Sequence, residues 1–80
     1  MGIKDFVVAK LKRVNERSYN KRIKQNKQKS YEYAKKRSKR AKKTGEKFNF
    51  YVAMHVDLNK RNEKTKRRKE DIDDDLELLR

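Results

Sequence analysis

The sequence predicts a mainly α, extended chain that is not an independent globule. It divides into a long basic N-terminal helix (3–43), one strand (about 48–58) pairing with another chain, and a basic-then-acidic tail (60–80) that closes in a short acidic helix. Three observations predict this. Residues 3–43 contain neither proline nor glycine, so nothing interrupts a helix there. Phe48, Phe50, Val52, Met54, Val56 and Leu58 occupy every second position, the period of a strand with one buried face. Finally, 48% of the 80 residues are charged and only 32% hydrophobic, which leaves too little apolar surface to offset the entropy of ordering the backbone. The whole of 1–80 is therefore read as a single non-globular unit.

The first helix starts well. Ile3, Phe6, Val7, Leu11 and Val14 recur at helical spacing as an apolar stripe, with Asp5 favourably placed in the first turn. Beyond Asn15 the stripe thins to Tyr19, Ile23, Tyr31, Ala34 and Ala41, and Lys and Arg spread over all faces. Pairs such as Lys35/Lys39, Lys36/Arg40 and Lys39/Lys43 oppose the helix by a few tenths of a kcal/mol each, roughly, so 18–43 is expected to be weakly helical until an anionic partner removes the repulsion. Thr44-Gly45 supplies the stop, because glycine readily adopts the left-handed conformation just past a helix end.

In the strand segment, Asn49, Tyr51, Ala53, His55 and Asp57 fill the alternate positions. A helical reading through Phe50, Met54 and Leu58 exists, but the unbroken alternation and the aromatic and branched residues favour a strand. A single strand has unpaired backbone edges, so its partner strands are expected from another protein's sheet or from other copies of this chain. Asn59 then caps a second basic segment, and Ile72, Leu76 and Leu79 give the final acidic helix its apolar spacing. Its carboxylates lie toward its N-terminal end and Arg80 toward its C-terminal end, as the helix dipole favours.

Several function classes fall away. Cysteine is absent, which excludes disulfides and thiolate metal sites. Lys4, Asp5, Lys10 and Lys12 break the only N-terminal apolar run, no cleavage pattern follows it, and nothing approaches the ~20 apolar residues of a membrane span. Phe6 stands where a myristoylation signal needs Ser or Thr. The one histidine, His55, has no nucleophile beside it in sequence, so no catalytic residue is assigned. Asp71, Asp73 and Asp75 have the spacing that opens a calcium loop, but Leu76 replaces the required glycine, so neither metal nor cofactor is expected.

What remains is charge. Residues 1–44 carry 17 basic and 3 acidic side chains, 45–69 carry 8 and 3, and 70–80 carry 1 and 6, for a net +14. This excess points to a polyanionic partner. The candidate nucleic-acid contacts are Lys35, Lys36, Arg37, Lys39, Arg40, Lys42 and Lys43 in the first helix and Lys64, Lys66, Arg67, Arg68 and Lys69 in the tail. At such density they displace counterions from a phosphate backbone with little regard to base sequence, and no base-reading motif accompanies them. Tyr19, Tyr31 and Tyr33 could stack on unpaired bases, although packing against a neighbouring chain is the favoured reading of Tyr31 and Tyr33. Ile3, Phe6, Val7, Leu11, Val14, the six alternating residues of 48–58, Ile72, Leu76 and Leu79 are the candidate partner-binding residues.

The abundance of Lys, Asn, Ile and Tyr resembles products of AT-rich genomes, and the overall style is similar to small basic internal virion proteins of tailed phages from such hosts. The resemblance is one of composition. It implies a non-enzymatic component beside packaged DNA near a capsid or portal, binding DNA in preference to RNA and a protein scaffold or other copies of itself. The corresponding location is a virion interior or the cytoplasm, neither secreted nor transmembrane. Two alternatives carry the same charge pattern: a small ribosome-associated protein, and a membrane-active protein of genome delivery acting through residues 3–14.

Overall fold

A computed structural model describes residues 2–80 and shows two helices, α1 (Ile3–Thr44) and α2 (Phe50–Glu77), joined by five residues, 45–49. They lie antiparallel, as cross-helix contacts between Lys12 and Glu77, Asn15 and Asp73, Asn26 and Asn62, and Ser30 and Asp57 show. The result is a rod of 63 × 16 × 13 Å. At 1.5 Å per residue α1 accounts for the full length and α2 for roughly two thirds of it. The first turns of α1 accordingly project past the end of α2, where Arg80 reaches back to Asp5 at 3.7 Å.

The expected stop holds. Gly45 sits at φ 73°, the left-handed region, and the N–H groups of Gly45 and Glu46 both reach the carbonyl of Ala41. A non-glycine residue there would be strained.

The strand expectation is corrected. Residues 50–59 are helical, and there is no strand among the described residues. Asn49 caps the segment: its side-chain oxygen accepts from the N–H of Val52 at 3.1 Å, satisfying one of the orphan donors of a first turn. Phe50, Met54 and Leu58, four apart, become half-buried, while Val52 and Val56 are left exposed and Tyr51 is 72% exposed. Phe50 meets Tyr31 of α1 edge-on, ring centres 5.6 Å apart. The cover sought from other chains is supplied by α1. The acidic terminal helix is likewise the last third of α2 rather than a separate element, and Asn59 is interior to α2 rather than its cap.

The seam between the helices explains how so polar a chain closes. A row of inward residues of α1, Val8, Lys12, Asn15, Tyr19, Arg22, Asn26, Ser30, Ala34, Ser38 and Ala41, runs in steps of three or four averaging about 3.7 residues, with Ile23 half-buried beside it. That period lies near the 3.6 of a straight helix, so the pair has little need to supercoil. Only Val8, Ala34 and Ala41 form an apolar core among the described residues. Elsewhere, beside half-buried apolar side chains such as Phe50, Met54 and Leu58, the contact is a ladder of polar side chains. Asn26 donates to Asn62 (3.1 Å) and Thr65 (3.0 Å), Ser30 donates to Asp57 (2.9 Å), and Asn15 donates to Asp73 (2.9 Å) and to the carbonyl of Lys69 (3.1 Å). No buried side-chain polar atom among the described residues lacks a partner, the condition under which such a network stabilises rather than costs.

Candidate nucleic-acid interface

Ala34, Ser38 and Ala41 turn toward the seam, and this forces the intervening Lys35, Lys36, Arg37, Lys39 and Arg40, and the following Lys42 and Lys43, onto the outside of α1, all exposed. Six of the seven make no ion pair or side-chain hydrogen bond among the described residues. Arg37 is the exception: its guanidinium donates to the Tyr33 hydroxyl at 3.1 Å and lies 5.9 Å from both the Tyr33 and Phe48 rings.

The second basic group divides. Lys64, Lys66, Arg67 and Arg68 are exposed, with Arg67 3.6 Å from Glu63 in a solvated pair worth little. Lys69 turns into the seam instead, where its ammonium meets Asp73 at 3.1 Å and lies 5.6 Å from the Tyr19 ring. The hydrogen bond to Asp73 raises its pKa.

Three carboxylates, Asp57, Asp73 and Glu77, are engaged in the hairpin's own seam. The Asn15 hydrogen bond, opposed by partial burial and joined by Lys69, holds Asp73 below its ordinary range. Partial burial pushes Asp57 upward, but hydrogen bonds from Arg61 and Ser30 outweigh it and the net shift is downward. Lys12 does the same for Glu77. Asp73 and Glu77 thus neutralise Lys69 and Lys12 along the seam, while Glu70, Asp71, Asp74 and Asp75 stay exposed and the cationic surplus is left on the outer surface.

The two helices also frame a groove of about 280 Å³ lined by Arg22, Gln25, Asn26 and Lys29 from α1 and Lys64, Thr65 and Arg68 from α2. Its only titratable walls are cationic. Arg22 and Lys29 escape a search for dense basic runs, because they are separated in sequence. The signal that finds them is the polar stripe Asn15, Asn26, Ser30, which fixes the inward face and so identifies its flanks.

Of the candidate partner-binding residues, Ile3 (84% exposed), Phe6 (69%) and Val7 form an uncovered apolar surface on the projecting end of α1, and Leu11 and Val14 continue it, also exposed, alongside α2. Leu79 and Ile72 are exposed too, whereas Leu76 is half-buried and Phe48 lies against Arg37. Tyr19 is half-buried beside Lys69, and Tyr31 packs within its own chain. His55 is exposed on α2. No helix among the described residues is long and apolar enough to cross a membrane. Comparison with family models, with curated proteins and with solved structures finds no match for this chain.

Proposed function

We propose that this chain is a non-enzymatic structural component of a nucleoprotein assembly, a helical hairpin that binds nucleic-acid backbone through its outward cations. One observation carries the reading: the basic residues of the loop-proximal part of α1 are exposed and make no ion pair among the described residues, while Asp57, Asp73 and Glu77 are engaged along the seam. Packed so closely, such cations favour a partner of high linear charge density over isolated anions. The compositional likeness to internal virion proteins supports DNA beside a capsid or portal as the most specific form of the proposal, with Ile3, Phe6, Val7 and Val14 as the surface that meets the scaffold.

Binding to a random-sequence duplex, measured by anisotropy between 50 and 200 mM salt, tests the reading. Six or more phosphate contacts predict a loss of affinity on the order of a thousandfold across that range, with little dependence on sequence. Equal affinity at both salt concentrations overturns it.

A second reading rests on the same projecting end. Ile3, Phe6 and Val7 beside Lys4 and Lys10, the latter 6.0 Å over the Phe6 ring, suit an anionic membrane surface. Leakage of anionic vesicles that is lost with Phe6→Asp supports it; intact vesicles remove it.

A further inference from the structure

We infer that the groove between α1 and α2 is a phosphate-binding site whose occupation and the closure of the hairpin are one equilibrium. The inference deepens the backbone-binding proposal and rests on it for the biological source of the phosphate, though not for the chemistry of the site.

Four cations line the groove, two from each helix: Arg22 and Lys29 from α1, Lys64 and Arg68 from α2. None of the four makes an ion pair or a side-chain hydrogen bond among the described residues, in contrast to Lys12, Arg61 and Lys69, which meet carboxylates along the same hairpin. The spacing aligns them. Arg22, Gln25 and Lys29 stand at i, i+3 and i+7, and Lys64 and Arg68 at i and i+4, so each set occupies one face of its helix. Between them the floor is polar, with Asn26 hydrogen-bonded to Thr65 at 3.0 Å.

The groove has a defined end. Toward the chain termini it continues past Arg22, Thr65 and Arg68 to Asn15, Ser18, Lys69 and Ile72, but there Asp73 takes up the Lys69 ammonium. The cationic stretch therefore extends over the rise from Arg22 to Lys29, about 10 Å. One strand of a duplex presents about three phosphates over that distance, a charge that the four cations are enough to neutralise. Guanidinium groups on the two sides offer the forked donors that suit phosphate oxygens.

Because the cations come from both helices, the groove exists only when the hairpin is closed, and closing it brings four like charges together. An anion that binds the closed form and not the open one must favour closure by linkage. Free phosphates and a nucleic-acid backbone share this chemistry.

The test uses the full chain, with helix melting followed by circular dichroism at constant ionic strength, with and without inorganic tripolyphosphate. The expected result is a rise of several degrees in the midpoint. That rise is lost in the double variant Arg22→Gln, Arg68→Gln, which retains its basal melting or gains from the relieved repulsion, and it survives in Lys36→Gln, Lys43→Gln, whose changes lie outside the groove. An equal rise in both variants, or none in the parent chain, overturns the inference. If the groove variant fails to fold, Lys29→Gln, Lys64→Gln removes the same amount of charge from the same walls, and its response decides. A short duplex in place of tripolyphosphate separates the sources. Protection by duplex that is lost in the groove variant, with a salt slope smaller in magnitude by up to about 1.8, assigns the groove to the backbone; protection that is retained assigns it to free phosphate. A duplex that never binds refutes the backbone proposal while leaving the tripolyphosphate response standing.

Discussion

Replacing Asn26 by alanine removes the central rung of the polar seam. Asn26 is nearly buried and donates to both Asn62 and Thr65, so the change deletes two cross-helix hydrogen bonds. Each contributes about 1 kcal/mol net, and Asn62 and Thr65 are only half-buried, so water recovers part of the loss. The expected destabilisation is roughly 1–2 kcal/mol, a fall of roughly 5–15 °C for a chain of this size. The assay is thermal loss of helix ellipticity in a sucrose buffer, which favours the folded form without adding ions that compete for the basic surface. Asn62→Ala should weaken the same rung, so the double variant falls short of the sum of the two by about 0.5–1 kcal/mol. An unchanged midpoint for Asn26→Ala, or strict additivity, refutes the view that polar contacts hold the helices together.

Ala34 is fully buried at the seam, and Ala34→Leu forces the helices apart, lowering stability by about 1–3 kcal/mol in the same melt. Asp57, Asp73 and Glu77 have folded-state values below their ordinary 3.8, 3.8 and 4.5, so the unfolded chain binds more protons in acid; the stability they supply is complete above about pH 5 and drains as pH falls through the folded values. An acid titration of helix content checks this, with Asp73→Asn giving a shallower loss; unchanged stability at pH 2 counts against it. Lys69 is raised, so its contribution is present below 10.5 and disappears as pH rises through its folded value. Lys69→Gln should therefore lower the melting midpoint with little change in the salt slope of duplex binding. Replacing Lys35, Lys36, Lys39 and Lys43 by Gln does the reverse, reducing the magnitude of the slope by up to about 3.6 while leaving the melt unchanged or raised.

The helical class, the extended shape, the long first helix and its glycine stop were legible because each has a local cause: uninterrupted helix formers, and one residue free to take positive φ. The pairing of the two helices was not. Sequence patterning finds a buried face by its apolar residues, whereas here Asn15, Asn26, Ser30, Asn62 and Thr65 occupy that face and read as surface. The segment 48–58 misled for a related reason. Its alternation places Val52 and Val56 on the side away from α1, an arrangement a strand would avoid, but the Asn49 cap and the Tyr31 ring stabilise the helix locally. The dense basic runs were visible in sequence; which cations face outward and which, like Lys69, close the seam depended on knowing that face.

Only three apolar side chains among the described residues, Val8, Ala34 and Ala41, are buried. Unfolding therefore uncovers little new hydrocarbon surface, and the heat-capacity increment should lie well below the about 12–15 cal/mol/K per residue of ordinary domains. A small increment makes the curve of stability against temperature a shallow arch, with gradual melting and weak sensitivity to cold. The population of folded rods then follows the ionic medium more than the thermometer, so that the hairpin responds to its surroundings much as a gauge of local salt would.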